Sequence, residues 1–206
     1  MVHYKLSYFD ARGLAEPIRL LLHYVDDEFE DIRYTRESWP EVKENLESTV
    51  FPVLEVEGQK VERGYHILRY LAHKHSLAGK DTWEEAQVDS IADYNREVYL
   101  ELAPYIYIKA GYKQGIVEEA KNDVFLPGIK RHLPTYVKIL KESGSSFLVK
   151  SGVTWVDFVL AEFLFTMKNM EPEVMKEYPE LEAYMKRVYS LPRIKEYVEK
   201  RPTREV

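Results

Sequence analysis

The segment from Val50 to Val56 combines strand-forming apolar residues with a proline, and such a segment can bind a peptide-like ligand. It reads Val-Phe-Pro-Val-Leu-Glu-Val. Proline cannot donate a hydrogen bond to a sheet ladder, so Pro52 belongs at a sheet edge, at the first residue of a strand, or at a cis bond that turns the chain. A cis Pro52 would hold the main chain of Phe51 and Val53 outward, where it could pair with an extended ligand. The alternative is an edge strand that merely begins at Pro52.

The absence of cysteine limits the chemistry that the side chains can perform. The 206 residues contain no cysteine, so disulfides, a thiolate nucleophile and cysteine-ligated metals are excluded. The six histidines show no spacing typical of a metal site or a catalytic triad. Any thiol chemistry must therefore come from a bound cofactor.

Composition and charge indicate a globular protein of one or two domains. The chain is 45% hydrophobic, with 35 acidic and 29 basic residues and a formal net charge of -6. The basic residues are dispersed along the chain, which argues against a nucleic-acid partner. No apolar run approaches the roughly 20 residues that span a bilayer, and the N-terminus lacks the apolar region of a signal peptide. We therefore expect a cytoplasmic protein without a membrane partner.

The hydrophobic periodicity changes character near Lys80. Before it, the pattern predicts a small mixed sheet with helices: strands over 3–9, 29–34, 53–56 and 59–62, and helices over 14–25 and 65–75. After it, the pattern is almost purely helical. The helix that opens at Thr154 is apolar on most faces and is predicted to be central, while Thr154 and Asp157 form a structural capping pair rather than a catalytic one.

Several motifs along the chain together resemble the cytosolic glutathione transferases, especially the nematode branch of the sigma class. They are MVHYKLSYF at 1–9, RGLAEPIR at 12–19, ESWP at 37–40, PVLEVEG at 52–58, RYLA at 69–72, DSIAD at 89–93, VTWVD at 153–157 and KRP at 200–202. The resemblance, which extends to glutathione-dependent prostaglandin D synthase, implies an α/β plus all-α protein. Residues 1–78 would form a thioredoxin-like βαβ-ββα domain that binds glutathione. Residues 81–206 would form an all-helical domain with the hydrophobic substrate pocket and the dimer contacts.

The resemblance assigns catalysis to Tyr8, at the end of the first predicted strand. A glutathione thiol has a cysteine-like pKa of about 8.5 and must ionise near neutral pH to react. A hydroxyl that donates to the sulfur stabilises the thiolate, and each pKa unit corresponds to about 1.4 kcal/mol.

The resemblance also distributes the rest of glutathione along the first domain. Trp39 and Lys43 would hold the glycine carboxylate, through an indole N–H and an ammonium group. The main chain of Phe51, with Pro52 cis, would pair with the cysteinyl unit. Val50 occupies the last position of Ser48-Thr49-Val50, where the family usually has Phe-Gly-Gln or Phe-Gly-Lys, so it can contribute only its main chain.

Arg63 and Gly64 mark a second departure from the family, which usually has Gln-Ser at this turn. The serine hydroxyl that holds the γ-glutamyl carboxylate is missing. The N–H of Gly64 and the helix N-terminus remain available to an anion, and Arg63 could supply a charged fork instead. Two interpretations stay open: Arg63 replaces the lost contact, or the glutathione site is eroded.

The helix that carries Asp93 and Glu97 offers a third group of candidates. Sigma enzymes place acidic residues here near the dimer cleft, where the prostaglandin synthase branch binds a divalent cation, but Arg96 interrupts the cluster and predicts no metal. Glu97 would reach the glutathione amine of a partner subunit or lie on a solvated helix face. Four tyrosines are candidates for the electrophile pocket or for ordinary packing: Tyr99, Tyr105, Tyr107 and Tyr112.

The leading hypothesis is a homodimeric glutathione transferase that conjugates glutathione, its co-substrate, to hydrophobic electrophiles in detoxification. Isomerase or peroxidase activity would use the same activated thiol. The alternative is a non-enzymatic relative, either a ligand carrier or a structural protein, in which the glutathione site is eroded.

Overall fold

A computed structural model of the protein describes residues 2–45 and 50–204, with the backbone alone for residues 44 and 45. Its contacts divide the chain into two compact units. The first contains residues up to 77 together with 190–204, and the second contains residues 78–189.

A four-stranded mixed sheet forms the centre of the first unit. Its order is β2-β1-β3-β4, with β1 and β2 parallel and the other neighbours antiparallel. The strands are β1 (Tyr4–Phe9), β2 (Phe29–Tyr34), β3 (Val53–Val56) and β4 (Gln59–Glu62). The alternation of the sequence pattern therefore located all four, and the predicted α/β plus all-α fold class is confirmed.

Three helices accompany the sheet along the chain: α1 (Glu16–Val25), α2 (Trp39–Asn45) and α3 (Gly64–Lys74). In α1 the helically spaced Ile18, Leu21 and Leu22 are fully buried, and Pro17 occupies the first turn, where its missing N–H removes no helical hydrogen bond. The helix begins at Glu16 rather than at the predicted Leu14. Leu14 belongs to the preceding loop.

Within the described residues of the second unit, all regular elements are helical. They are α4 (Thr82–Lys109), α5 (Val117–Ala120), a π-helical turn at Lys121–Phe125, α6 (Leu126–Ser143), α7 (Trp155–Met170), α8 (Pro172–Lys176) and α9 (Pro179–Tyr189). Helix α7 is buried on most faces, as predicted. Across the described part of the chain, no helix has the length and apolar character that crossing a membrane requires.

The N-terminus of α7 is capped as the sequence predicts. The carboxylate of Asp157 accepts hydrogen bonds from the Thr154 N–H at 2.8 Å, the Leu148 N–H at 3.1 Å and the Tyr184 hydroxyl at 2.8 Å. Complete burial raises the pKa of Asp157 to about 6, against these hydrogen bonds. Thr154 and Asp157 are therefore structural.

The C-terminal segment packs on the first unit, although it follows the second in sequence. Helix α10 (Ile194–Lys200) packs on α1, where Tyr197 stacks on His23 with ring centroids 4.1 Å apart. The Tyr197 hydroxyl and the Arg201 guanidinium both donate to Oε1 of the buried Glu16, at 2.8 and 2.9 Å. The division into domains at 1–78 and 81–206 stays a prediction, and the compact units differ from it at residues 190–204.

Candidate active site

The hydroxyl of Tyr8 has a defined place at the end of β1, against the loop that follows the strand. The Leu14 N–H donates to the Tyr8 oxygen at 3.2 Å. Gly13, with φ +40, makes this approach possible, since a Cβ at this position would lie 2.6 Å from the Tyr8 oxygen. A side chain at position 13 would displace the hydroxyl and would also be strained in this backbone conformation.

The Leu14 N–H affects what the Tyr8 hydroxyl can do chemically. Because the oxygen accepts this hydrogen bond, one lone pair is directed at the loop. A hydroxyl that accepts one hydrogen bond becomes a better donor in the next, since chains of hydrogen bonds polarise one another. The hydrogen bond from Leu14 therefore favours the Tyr8 hydroxyl as a hydrogen-bond donor.

A cluster of aromatic rings connects β1 to α2 and to the segment before β3. The Phe9 ring lies 4.8 Å from the ring of Trp39 and 5.5 Å from that of Phe51, and Trp39 and Phe51 are also 5.5 Å apart. Tyr8 itself contacts Phe9 edge to face at 5.4 Å. These contacts place the Trp39 indole and the Phe51 main chain near the end of the strand that carries Tyr8.

The predicted cis bond is confirmed between Phe51 and Pro52. The alternative of an edge strand is wrong, because β3 is internal and pairs with β1 and β4. Val53 lies in register with Ser7 on one side and Glu62 on the other, so the expectation that its main chain faces outward is also wrong. Phe51 precedes the strand, and its main chain remains the candidate for pairing with a ligand.

Arg63 and Gly64 form the turn into α3, close to Pro52 and to Leu14 in the loop that follows β1. The Arg63 N–H donates to the Pro52 carbonyl at 2.9 Å, and Arg63 adopts φ 72, a conformation that favours glycine. A Cβ on the buried Gly64 would lie 3.0 Å from the Leu14 carbonyl and 3.8 Å from Pro52 Cγ. Strained backbone conformations cost roughly 1–3 kcal/mol each and cluster at ligand sites. The positive φ of Arg63 is such a conformation.

The structure therefore brings Tyr8, Trp39, Phe51 and Gly64 into one neighbourhood. Leu14 contacts the Tyr8 hydroxyl and approaches Gly64, and the aromatic cluster adds Trp39 and Phe51. Lys43 is exposed on α2, and Val50 is half-buried ahead of Phe51. Ser48 and Thr49, where the sequence departs from the family, lie outside the described residues.

The predicted residues of the second unit are on α4. Asp93 and Glu97 are both exposed. Tyr105 is fully buried and donates to the Glu171 carboxylate, which makes it a core residue and not a pocket residue. Among residues 2–45 and 50–204, no group of three or more histidine, aspartate or glutamate side chains could hold a metal ion. The absence of a metal stays a prediction.

Gly13 and Leu14 are functional candidates that the sequence reasoning did not single out. They lie inside the Arg12–Arg19 motif that carries the resemblance, so the motif marked the region. Their contact with Tyr8 depends on how the loop folds back over the strand, which no local pattern specifies.

Comparison with known proteins agrees with this geometry. A family model for the glutathione S-transferase C-terminal domain matches residues 101–201. Glutathione S-transferase 1 of Ascaris suum is 39% identical over 202 residues, which cover 98% of each protein. The chain belongs to the glutathione S-transferase family. Family members are transferases that use glutathione as co-substrate.

Several solved structures superpose over nearly the whole chain. A Nu-class glutathione S-transferase from Haemonchus contortus matches with a TM-score of 0.89 at 39% identity, covering 100% of both chains. A monomeric one from Necator americanus matches with a TM-score of 0.92 at 37% identity, covering 99% of this chain and 100% of the other. Prostaglandin synthase D of Nilaparvata lugens matches with a TM-score of 0.86 at 30% identity, covering 98% and 100%. The sigma class and the homodimer both stay predictions.

Proposed function

We propose that the protein activates the thiol of glutathione with Tyr8 and transfers the glutathionyl group to hydrophobic electrophiles. The observation that carries the proposal is the Tyr8 hydroxyl, held by the Leu14 N–H at 3.2 Å, beside the turn at Gly64. In the reaction the thiol proton leaves to solvent, the thiolate sulfur bonds to the electrophilic carbon, and the leaving group departs with the electron pair of its bond.

The other residues of the first unit bind the tripeptide. The main chain of Phe51 and Val50 pairs with the cysteinyl unit, which puts the thiol near the end of β1. Trp39 and Lys43 hold the glycine carboxylate, and among the described residues neither the indole N–H nor the ammonium group is engaged in a hydrogen bond. Gly64 and the N-terminus of α3 receive the γ-glutamyl carboxylate, with the Arg63 guanidinium beside them.

The finer assignments follow from the sequence motifs. We place the chain in the sigma class, as a cytoplasmic homodimer that acts in detoxification, with Glu97 directed to the glutathione amine of the partner subunit. Isomerase and peroxidase activities would use the same thiolate. The absence of cysteine supports an activity in which the reactive sulfur arrives with the co-substrate.

Calorimetric titration with glutathione, combined with a conjugation assay on an activated aryl chloride, tests the proposal. We expect binding, a higher melting temperature at millimolar glutathione, and turnover that depends on both substrates. Binding of hydrophobic ligands without any heat from glutathione would instead favour the carrier, because the departure at Arg63 and Gly64 would then have eroded the site.

A further inference from the structure

The loop that holds the Tyr8 hydroxyl is itself held by the last described residues of the chain. Arg204 donates from its guanidinium to Asp10 Oδ2 at 2.8 Å, and its carbonyl accepts from Arg12 Nε at 3.1 Å. Asp10 and Arg12 lie at the beginning of the loop, and Arg12 is only 2% exposed. The two contacts therefore join the C-terminal segment to the chain just before Gly13 and Leu14.

A buried group of charges holds the other end of the loop. Glu16 accepts from Arg201 at 2.9 Å and from Arg19 at 2.8 Å, and the Glu16 N–H donates to the Arg12 carbonyl at 2.9 Å. Arg19 also donates to the Ala11 carbonyl at 2.9 Å. Burial alone would raise the pKa of Glu16, but the two guanidinium groups lower it below its ordinary value, so the carboxylate is ionised at neutral pH.

The loop thus has contacts on both sides of the two residues that touch Tyr8. Gly13 and Leu14 make their contacts at the middle of the loop, where a Cβ at position 13 would already collide with the hydroxyl. Displacements of about 1 Å at a catalytic group can reduce a rate by about a hundredfold, so the anchoring of this loop matters for turnover.

We infer that Arg201–Arg204 is a positioning element for the catalytic hydroxyl, which it holds in place through the loop from Asp10 to Ala15. The contacts described above join the segment to the loop and to Glu16, and none of them is with a residue proposed to bind glutathione. Its effect should therefore appear in the reactivity of bound glutathione and not in affinity. The inference rests on the proposed function of Tyr8.

Two variants of the segment test this inference through steady-state kinetics. Arg204→Gln removes a partly exposed ion pair and should lower kcat about threefold. A variant that ends at Pro202 also removes the Arg204 carbonyl that accepts from Nε of the buried Arg12, and it should lower kcat about tenfold. For both variants the KM for glutathione should stay within about twofold of wild type. The pH profile of kcat/KM for the electrophile, measured at saturating glutathione, should move to higher pH because the hydroxyl stabilises the thiolate less.

Arg193→Gln is the matched control. Arg193 precedes α10 and pairs with Asp26 at 3.0 Å, but among the described residues it makes no hydrogen bond or ion pair with the loop. This variant should retain the wild-type pH profile, whatever its effect on the melting temperature. An unchanged pH profile in the Pro202 variant, or an equal shift in Arg193→Gln, would overturn the inference.

The result also separates this inference from the proposed function. If Tyr8→Phe changes the pH profile and the Pro202 variant does not, the inference that Arg201–Arg204 positions the hydroxyl is wrong, and the proposed function of Tyr8 stands. If Tyr8→Phe itself leaves the profile unchanged, the proposed function is wrong.

Discussion

The two ends of the proposed glutathione site differ in how much of their geometry comes from the chain itself. At the thiol end, the Tyr8 hydroxyl accepts a hydrogen bond from Leu14, and the space beside it depends on the missing side chain of Gly13. The other end, here called the carboxylate end, is the turn proposed to receive the γ-glutamyl carboxylate. There the Arg63 guanidinium makes no hydrogen bond or ion pair with any residue that the structure describes, although its backbone is held at φ 72. One end is organised without a ligand, and the other has a cation available for one.

This difference predicts that substitutions at the two ends change different kinetic constants. A preorganised donor stabilises the charge that develops on sulfur, so its loss lowers kcat. An exposed cation at the γ-glutamyl carboxylate, away from the reacting sulfur, contributes to the ground state and the transition state alike, so its loss raises KM and the dissociation constant. Substitutions at each end should separate these effects.

The largest expected effect is that of Tyr8→Phe. A hydrogen bond to a charged group contributes about 1.5–3 kcal/mol, so its removal should lower kcat roughly 10- to 100-fold near neutral pH. The fold and the affinity for glutathione should remain close to wild type, since the rest of the tripeptide is bound elsewhere. Steady-state kinetics with calorimetry would check this, and a comparable loss of affinity would mean that Tyr8 mainly binds glutathione.

Gly13→Ala should have the next largest effect at the thiol end. The new Cβ would lie 2.6 Å from the Tyr8 oxygen, and displacement of the hydroxyl should lower kcat roughly tenfold. Gly58→Ala is the matched control, because Gly58 also has positive φ, at +80, but a Cβ there would meet nothing within 4 Å. Both variants should have a lower free energy of unfolding, but only Gly13→Ala should have a lower kcat. Equal activity in the two would remove Gly13 from the site.

At the carboxylate end, Arg63→Ala should weaken glutathione binding by about tenfold, as expected for the loss of a charge-assisted contact. Arg63→Lys is the control, because it must adopt the same φ 72 and keeps the charge. We expect Arg63→Lys to recover part of the affinity, and kcat to change little in either variant. Unchanged calorimetric affinity in Arg63→Ala would mean that the site is eroded at this end.

Gly64→Ser should give the smallest change, and it tests whether the two ends are coupled. The family's hydroxyl should strengthen glutathione binding by about threefold, within the range for one hydrogen bond. The new Cβ would lie 3.0 Å from the Leu14 carbonyl, so Leu14 must shift and kcat should fall by about twofold. Gly64→Ala has the same Cβ and no hydroxyl, and it should reproduce the lower kcat without the tighter binding. If kcat is unchanged in both variants, the two ends are independent.

The sequence predicted the elements of the site better than the contacts between them. Strand alternation located β1 through β4, and the proline in an apolar run left a cis bond before β3 as one of several possibilities, which the family resemblance favoured. Helix α2 and the helical start at Glu16 were not anticipated, because the first is short and the second depends on how the loop folds. Local periodicity carries information about neighbours in sequence, and these features depend on tertiary packing.

The contacts that hold the Tyr8 loop show this limit most clearly. Arg12 and Arg204 are 192 residues apart in the chain, and Glu16 and Arg201 are 185 apart. Each arginine on its own is consistent with a solvated surface charge, so the sequence gives no reason to pair them. The motif at Arg12–Arg19 marked the region, and the structure shows what its residues contact.

Titration of the bound glutathione thiol tests the central claim most directly. Ultraviolet absorbance of the thiolate, measured against pH in the binary complexes of wild type, Tyr8→Phe and Arg63→Ala at saturating glutathione, compares the two ends in one experiment. We expect the thiol pKa in wild type and Arg63→Ala to lie at least about one unit below the free value of about 8.5, and to return towards it in Tyr8→Phe. The same titration curve in wild type and Tyr8→Phe would contradict the account.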